Sequence, residues 1–134
     1  MPIDPMTEPP YPFQDLLGFR LVEWKADYCL FELPLEEKHQ NRFGIPHGGV
    51  YATMLDTVMG FSGSYTGDLS RKRLSMTLSM NTNFLSRPTT DRLICEGFRT
   101  GGGARSFFAR GLIRDSAGHA VAEGTGVFRY RSAG

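Results

Sequence analysis

The stretch GGVYATMLDTVMGFSGS, residues 48–64, decides the fold. Val50, Tyr51, Met54, Leu55, Val58, Met59 and Phe61 recur at helical spacing and cover most of the circumference, so the spacing predicts a buried helix from about Gly49 to Ser64. Gly49, Thr53, Asp56, Gly60 and Ser64 share the remaining face, at intervals of four, three, four and four residues. Taken simply, that stripe is the solvent side. A solvent side normally carries Lys, Glu or Arg, however, and this helix has none. A carboxylate in a mostly apolar helix costs stability unless it is paired, protonated or needed, and flanking glycines let another group approach the backbone.

Working outward, Leu74, Met76, Leu78, Met80 and Phe84 alternate with Ser75, Thr77, Ser79, Asn81 and Asn83, the period of a long strand whose even positions face a core. Strand-like runs follow at 92–100, 105–114 and 120–130, separated by Thr100-Gly101-Gly102-Gly103-Ala104 and Asp115-Ser116-Ala117-Gly118, both turn signals. On the N-terminal side, residues 19–35 read as a hairpin broken near Ala26-Asp27, and 36–48 as a polar loop. Residues 1–12 carry five prolines and read as a flexible arm leading into a short amphipathic turn at 13–17 that Gly18 ends. Two strands, one buried helix and four strands in an antiparallel meander make an α+β domain spanning 13–134.

At 134 residues a single domain is expected. Fifteen Lys and Arg against fourteen Asp and Glu leave a net charge of +1, which argues against a dedicated nucleic-acid partner. No apolar run approaches the roughly 18 residues of a membrane span, and MPIDPMTEPPYPF is acidic and Pro-rich, unlike a signal peptide. A cytoplasmic protein with no membrane partner is the expectation. Cys29 and Cys95 stand apart without CxxC spacing, and His39 and His119 have no partner at ligand spacing, so no metal site is expected. One oddity remains: 16 glycines, against average usage of roughly 7%.

Two of them open the helix. In Pro46-His47-Gly48-Gly49, unpaired backbone N–H groups and the positive end of the helix dipole point outward, an arrangement that can hold a carbonyl oxygen as it gains charge. The plain alternative is a glycine-containing cap with His47 bonded to a backbone group. Gly49 and Asp56 are seven residues apart, about 10 Å of rise, so Asp56 does not reach a carbonyl held at its own helix's start. If both act on one substrate they come from different chains, and a two-fold homodimer supplies the second helix.

Asn41-Arg42-Phe43-Gly44-Ile45-Pro46-His47-Gly48-Gly49, with Asp56 seven residues on, resembles the N-x-x-G-x-x-H-G-G-x6-D signature of hotdog-fold acyl-CoA thioesterases of the phenylacetate-degradation (PaaI-like) type. The segment 75–85, the Gly-Arg turn and the final strand ending at Tyr130 are also similar. The resemblance implies an antiparallel sheet wrapped around one long central helix, and hydrolysis of an acyl- or aryl-CoA to free acid and CoA without metal or bound cofactor. It implies that the N–H of Gly48 or Gly49 polarises the carbonyl while His47 shapes the loop, and that Asp56 is general base or nucleophile. It further implies that Asn41 helps to place the thioester or the water. Thr77 is either the residue that positions the water or an ordinary polar strand residue. Arg99, Gly101, Gly102, Gly103, Ala104 and Arg105 match a CoA-binding loop, whose plain reading is a hairpin turn with two solvated arginines, and Phe84 lines the same channel. Arg71, Lys72 and Arg73 read as a solvated turn. Gly60 stands where some relatives carry a hydroxyl, which leaves the acyl pocket roomier or differently shaped. A homodimer or dimer of dimers, hence a homotetramer, is expected. Two other readings use the same residues: a hotdog dehydratase built on His47 and Asp56, and a non-catalytic acyl-CoA-binding module in which Asp56 is structural. The position of Asp56, nine residues after His47, fits the thioesterase arrangement better than the dehydratase one.

Overall fold

The computed structural model describes residues 8–132, so the first seven residues of the proline-rich arm lie outside the described residues. A short helix, α1 (Pro12–Leu17), begins with proline in its first turn, where the missing N–H costs nothing, and Gly18 closes it at φ 93°. Strands β1 (Arg20–Lys25) and β2 (Tyr28–Pro34) form the expected hairpin. Its turn places Asp27 at φ 62°, a conformation that Asp tolerates better than most residues. A 3-10 turn at Glu37–His39 leads to the long helix α2 (Gly48–Ser62). Strands β3 (Ser75–Phe84), β4 (Arg92–Gly102), β5 (Ser106–Asp115) and β6 (Ala120–Tyr130) complete one antiparallel sheet in the order β1-β2-β4-β5-β6-β3. The result is α+β, one long helix lying on a single sheet.

The structure corrects two expectations about β3. Only β4, β5 and β6 form a meander, because β2 pairs along β4 from Tyr28↔Phe98 to Pro34↔Arg92 and leaves β3 only the free edge of β6. Nor do the even positions of β3 all face the core. Leu78 is an extra residue between the pairs Thr77↔Phe128 and Ser79↔Val127, and such a bulge exchanges the faces of everything beyond it. Ser75 and Thr77 therefore point toward α2 before the bulge, and Met80 packs on the core after it. Met76 and Leu78 are 54% and 56% exposed on the sheet's edge, and Leu74 is exposed as well.

Val50, Tyr51, Met54, Leu55, Val58 and Met59 are all buried, as the helical period requires, against Phe31 and Leu33 of β2, Leu93 of β4, Phe107 and Ile113 of β5, and Phe128 of β6. The helix lies close to the sheet because glycines form a row beneath it: Gly97 pairs with Gly111, and Gly111 with Gly124. A Cβ on Gly97 would overlap the Val58 carbonyl, and one on Gly111 would sit 2.9 Å from Leu55 Cδ2. Part of the glycine excess thus serves helix packing rather than chemistry.

Candidate active site

The start of α2 is fixed from behind by a buried histidine. His39 Nδ1 accepts the Glu36 N–H at 2.9 Å, so its proton sits on Nε2, which donates to the Leu17 carbonyl at 2.6 Å. Its own carbonyl receives the His47 N–H at 2.8 Å. Between these anchors the loop folds on itself: Asn41 Oδ1 accepts from Phe43 N at 2.8 Å and Ile45 N at 3.4 Å, and Gly44 adopts φ 75°. His47 is the N-cap residue of α2, and its Nδ1 accepts the Gly49 N–H at 2.7 Å. The Gly48 N–H makes no hydrogen bond among the described residues, which leaves it as the open donor of the helix terminus. Beside it lies a recess of about 340 Å³ lined by Ile45, Pro46, Tyr51, Phe84 and Leu85. Burial raises the Tyr51 phenol to about 12, so it stays protonated and supplies no base.

Two turns further along, Asp56 is half-buried and accepts a hydrogen bond from Thr77 Oγ1 at 2.5 Å. The bulge at Leu78 makes this contact possible, since it leaves Thr77 on the helix-facing side. Ser75 and Gly60 are close by, and a Cβ on Gly60 would meet only ordinary contacts, at 3.6 Å from Phe128 and 3.8 Å from Ser75 Oγ. A cavity of about 290 Å³ opens beside Asp56 and Thr77, with Trp24, Phe61, Leu69 and Phe128 in its apolar walls.

Two further residues close this cavity. Tyr11 places its hydroxyl 2.5 Å from Thr57 Oγ1, and Glu8 lies 3.6 Å from Lys72 Nζ. The Tyr11 phenol is held above its ordinary range, mainly by burial and further by the charge of Asp56, while the bond to Thr57 opposes the shift. Sequence reasoning missed both residues. The prolines around them give no period, and Tyr11 and Thr57 are 46 positions apart. An aromatic residue directly before a helix start was the only local signal.

The proposed CoA-binding residues divide between two regions. Gly101 and Gly102 extend β4, and the chain reverses at residues 103–105. At φ 134°, a Cβ on Gly102 would lie 2.5 Å from Phe107 Cα, so this glycine is required by the turn itself. Arg73 bonds to the Ala104 carbonyl at 3.1 Å and lies 3.5 Å over the Tyr130 ring, tying the turn to the start of β3. Arg73 is therefore a tether rather than part of a merely solvated turn. Phe84, at the other end of β3, is nine residues from Ser75, roughly 30 Å along an extended strand. Within one chain, then, Asp56, Thr77 and the 99–105 loop lie toward one end, and Gly48 and Phe84 toward the other. Among the described residues no three His, Cys, Asp or Glu side chains converge to hold a metal, and no helix is long and apolar enough to cross a membrane.

Comparison with known proteins follows the same outline. Among solved structures, a conserved protein of Pseudomonas aeruginosa is 25% identical, with a TM-score of 0.82 over 90% of this chain and 94% of that one. The PaaI protein of the Escherichia coli phenylacetic acid degradation operon is 14% identical, with a TM-score of 0.79 over 90% and 85%. A Streptococcus mutans protein solved with acetyl-CoA bound is 19% identical, with a TM-score of 0.73 over 85% and 89%. The last two are so distant in sequence that they speak for the fold alone. No curated protein matches in sequence. Residues 43–122, more than half of the sequence, match the profile of the thioesterase superfamily. The chain, with its helix laid on an antiparallel hotdog sheet, belongs to the thioesterase superfamily and is a thioester hydrolase.

Proposed function

We propose that this protein hydrolyses acyl-CoA thioesters at sites shared between two subunits, with Asp56 as general base. The observation that carries the reading is the Asp56–Thr77 pair beside an apolar cavity. Thr77 occupies one oxygen of the carboxylate and gives a water a second anchor, while the other oxygen is free to take its proton. The water attacks the thioester carbon, the carbonyl oxygen becomes negative against the Gly48 N–H, and the intermediate collapses to free acid and CoA thiolate. CoA phosphates are matched by Arg99, Arg105 and the backbone around Gly101–Gly103.

The two-subunit arrangement rests on distance and on the exposed edge. Gly48 and Asp56 are eight residues apart on one helix, about 12 Å. Two β3 edges pairing antiparallel about a two-fold axis bring the Phe84 end of one chain beside the Thr77 end of the other. An uncovered edge strand carrying Met76 and Leu78 is a surface that needs a partner. Commitment of His47 Nδ1 to the Gly49 N–H makes this histidine a cap, which weighs against the dehydratase reading.

The test is release of thiol from a panel of acyl- and aryl-CoAs, measured on wild type and on Asp56→Asn. Wild type should turn over at least one thioester, and Asp56→Asn should lose about a hundred- to ten-thousand-fold in kcat with an unchanged melting temperature. Single turnover in 18O-water should label the product acid and not the protein. Saturable binding without turnover would replace this reading with the acyl-CoA-binding module.

A further inference from the structure

The cavity beside Asp56 is closed on one side by the segment that precedes α1, and this closure is built from two unlike contacts. Tyr11 is fixed. Its backbone N–H donates to Gln14 Oε1 at 3.3 Å, and the buried Gln14 side chain donates to the Phe19 carbonyl at 3.1 Å. Its ring meets Phe19 edge-on at 6.3 Å, and its hydroxyl bonds Thr57, the residue after Asp56. Glu8, by contrast, is held by one partly exposed ion pair to Lys72, a weak tie. Pro9, Pro10 and Pro12 have no N–H to donate, so the segment cannot zip onto a strand as a ladder. It crosses the cavity as a strap attached through side chains.

We propose that Tyr11 is the specificity-determining wall of the acyl cavity, ending the space available to the acyl chain, and that Glu8 on Lys72 holds the outer part of that wall in place. The inference rests on the reading of this cavity as the acyl site. The space it leaves, about 290 Å³, lies at the small end of ligand sites, and its apolar walls are Trp24, Phe61, Leu69, Leu74 and Phe128, with Ser64, Thr66 and Asp68 among the polar ones. A compact aryl or short alkyl acyl group fits that description. A longer chain meets the Tyr11 ring.

Trp24 is the only tryptophan of the sequence and lines the cavity, so its fluorescence reports occupancy without turnover. The experiment titrates the free straight-chain carboxylates from butyrate to myristate into wild type, Tyr11→Ala, Tyr11→Phe and Glu8→Gln. Wild-type affinity should rise about fourfold per methylene, as each is buried, and then stop at a cut-off length. In Tyr11→Ala the rise should continue past that length, in Tyr11→Phe the cut-off should stay, and in Glu8→Gln it should move in the direction of the Ala variant. Where Tyr11→Ala fails to fold, Tyr11→Leu keeps an apolar side chain against Phe19 and takes its place. An unchanged cut-off in the folded Ala or Leu variant overturns the proposal, as does the absence of any Trp24 response to any of the acids. A shifted cut-off without acyl-CoA turnover would retain the wall and remove the proposed acyl-CoA activity; acyl-CoA turnover with an unchanged cut-off would do the reverse.

Discussion

Two aspartates show how the surroundings of a side chain decide what it has left to offer a ligand. Asp115 is buried, and its oxygens accept from Thr89 N and Oγ1, each at 2.6 Å, from Ala117 N at 2.9 Å and from His119 N at 3.0 Å. Those donors, led by the Thr89 hydroxyl, hold its carboxyl well below the usual carboxylate range. A carboxylate so saturated has no lone pair left for a substrate. Asp56, with one donor among the described residues and an open cavity, does. The folded-state value of Asp115 lies below the unfolded value of about 3.9, so the stability it contributes is present above that value and is lost as pH falls through the folded one. Asp115→Asn should therefore lower the melting temperature at pH 7, and the gap to wild type should close as the scan is repeated at pH values below about 4. A gap that persists unchanged into acid would mean that geometry rather than ionisation supplies the effect. The sequence marked Asp115 only as a turn residue, because its donors Thr89 and His119 reach it from outside the local pattern. Asp56 stood out because its conflict with an apolar helix is local.

At the scale of elements, the seat of α2 on the sheet depends on what the strands lack. The row Gly97, Gly111, Gly124 lets the helix approach the sheet, and at Gly97 a side chain has no flexible neighbour to displace, since the obstacle is the Val58 carbonyl. Gly97→Ala should cost about 1–3 kcal/mol, the range of overpacked cores, measured by urea unfolding. Gly103→Ala, where a Cβ would meet nothing within 4 Å, should stay within about 0.5 kcal/mol and serves as the control. Equal losses in both variants would show that backbone freedom and not helix contact sets the cost. The elements themselves were legible from local pattern: α2 repeats at 3.6 residues, and the strand runs are bounded by turn signals at Ala26-Asp27, 100–104 and 115–118. What escaped is what does not repeat. A bulge at Leu78 leaves the written alternation of β3 intact while exchanging its faces, and a glycine row across three strands is scattered through 28 positions of sequence. The place of β3 at the far edge escaped for the same reason, since it follows from β2 having already occupied β4.

For the whole molecule, the division of the candidate site between the two ends of β3 gives a test of assembly that no single-chain property can imitate. Gly48 is the first residue of α2, where proline is favoured, and His47 before it is already extended at ψ 138° as a residue preceding proline should be. Gly48→Pro thus removes the open N–H while suiting the helix, and it should lose about a hundred- to a thousand-fold in kcat, as loss of one oxyanion donor does. Asp56→Asn should be at least as inactive. In a shared site each defect disables both sites of its own homodimer. A heterodimer of the two variants, however, has one site that takes its Gly48 from the Asp56→Asn chain and its Asp56 from the Gly48→Pro chain, both intact. Unfolding an equimolar mixture and refolding it together should make half of the dimers mixed, each with one working site, and restore about a quarter of wild-type activity. If both groups act within one chain, every site carries a defect and the refolded mixture stays as inactive as its parents. Met76→Asp and Leu78→Asp together, which place charges on the exposed β3 edge, should abolish the recovery and leave a monomer in light scattering.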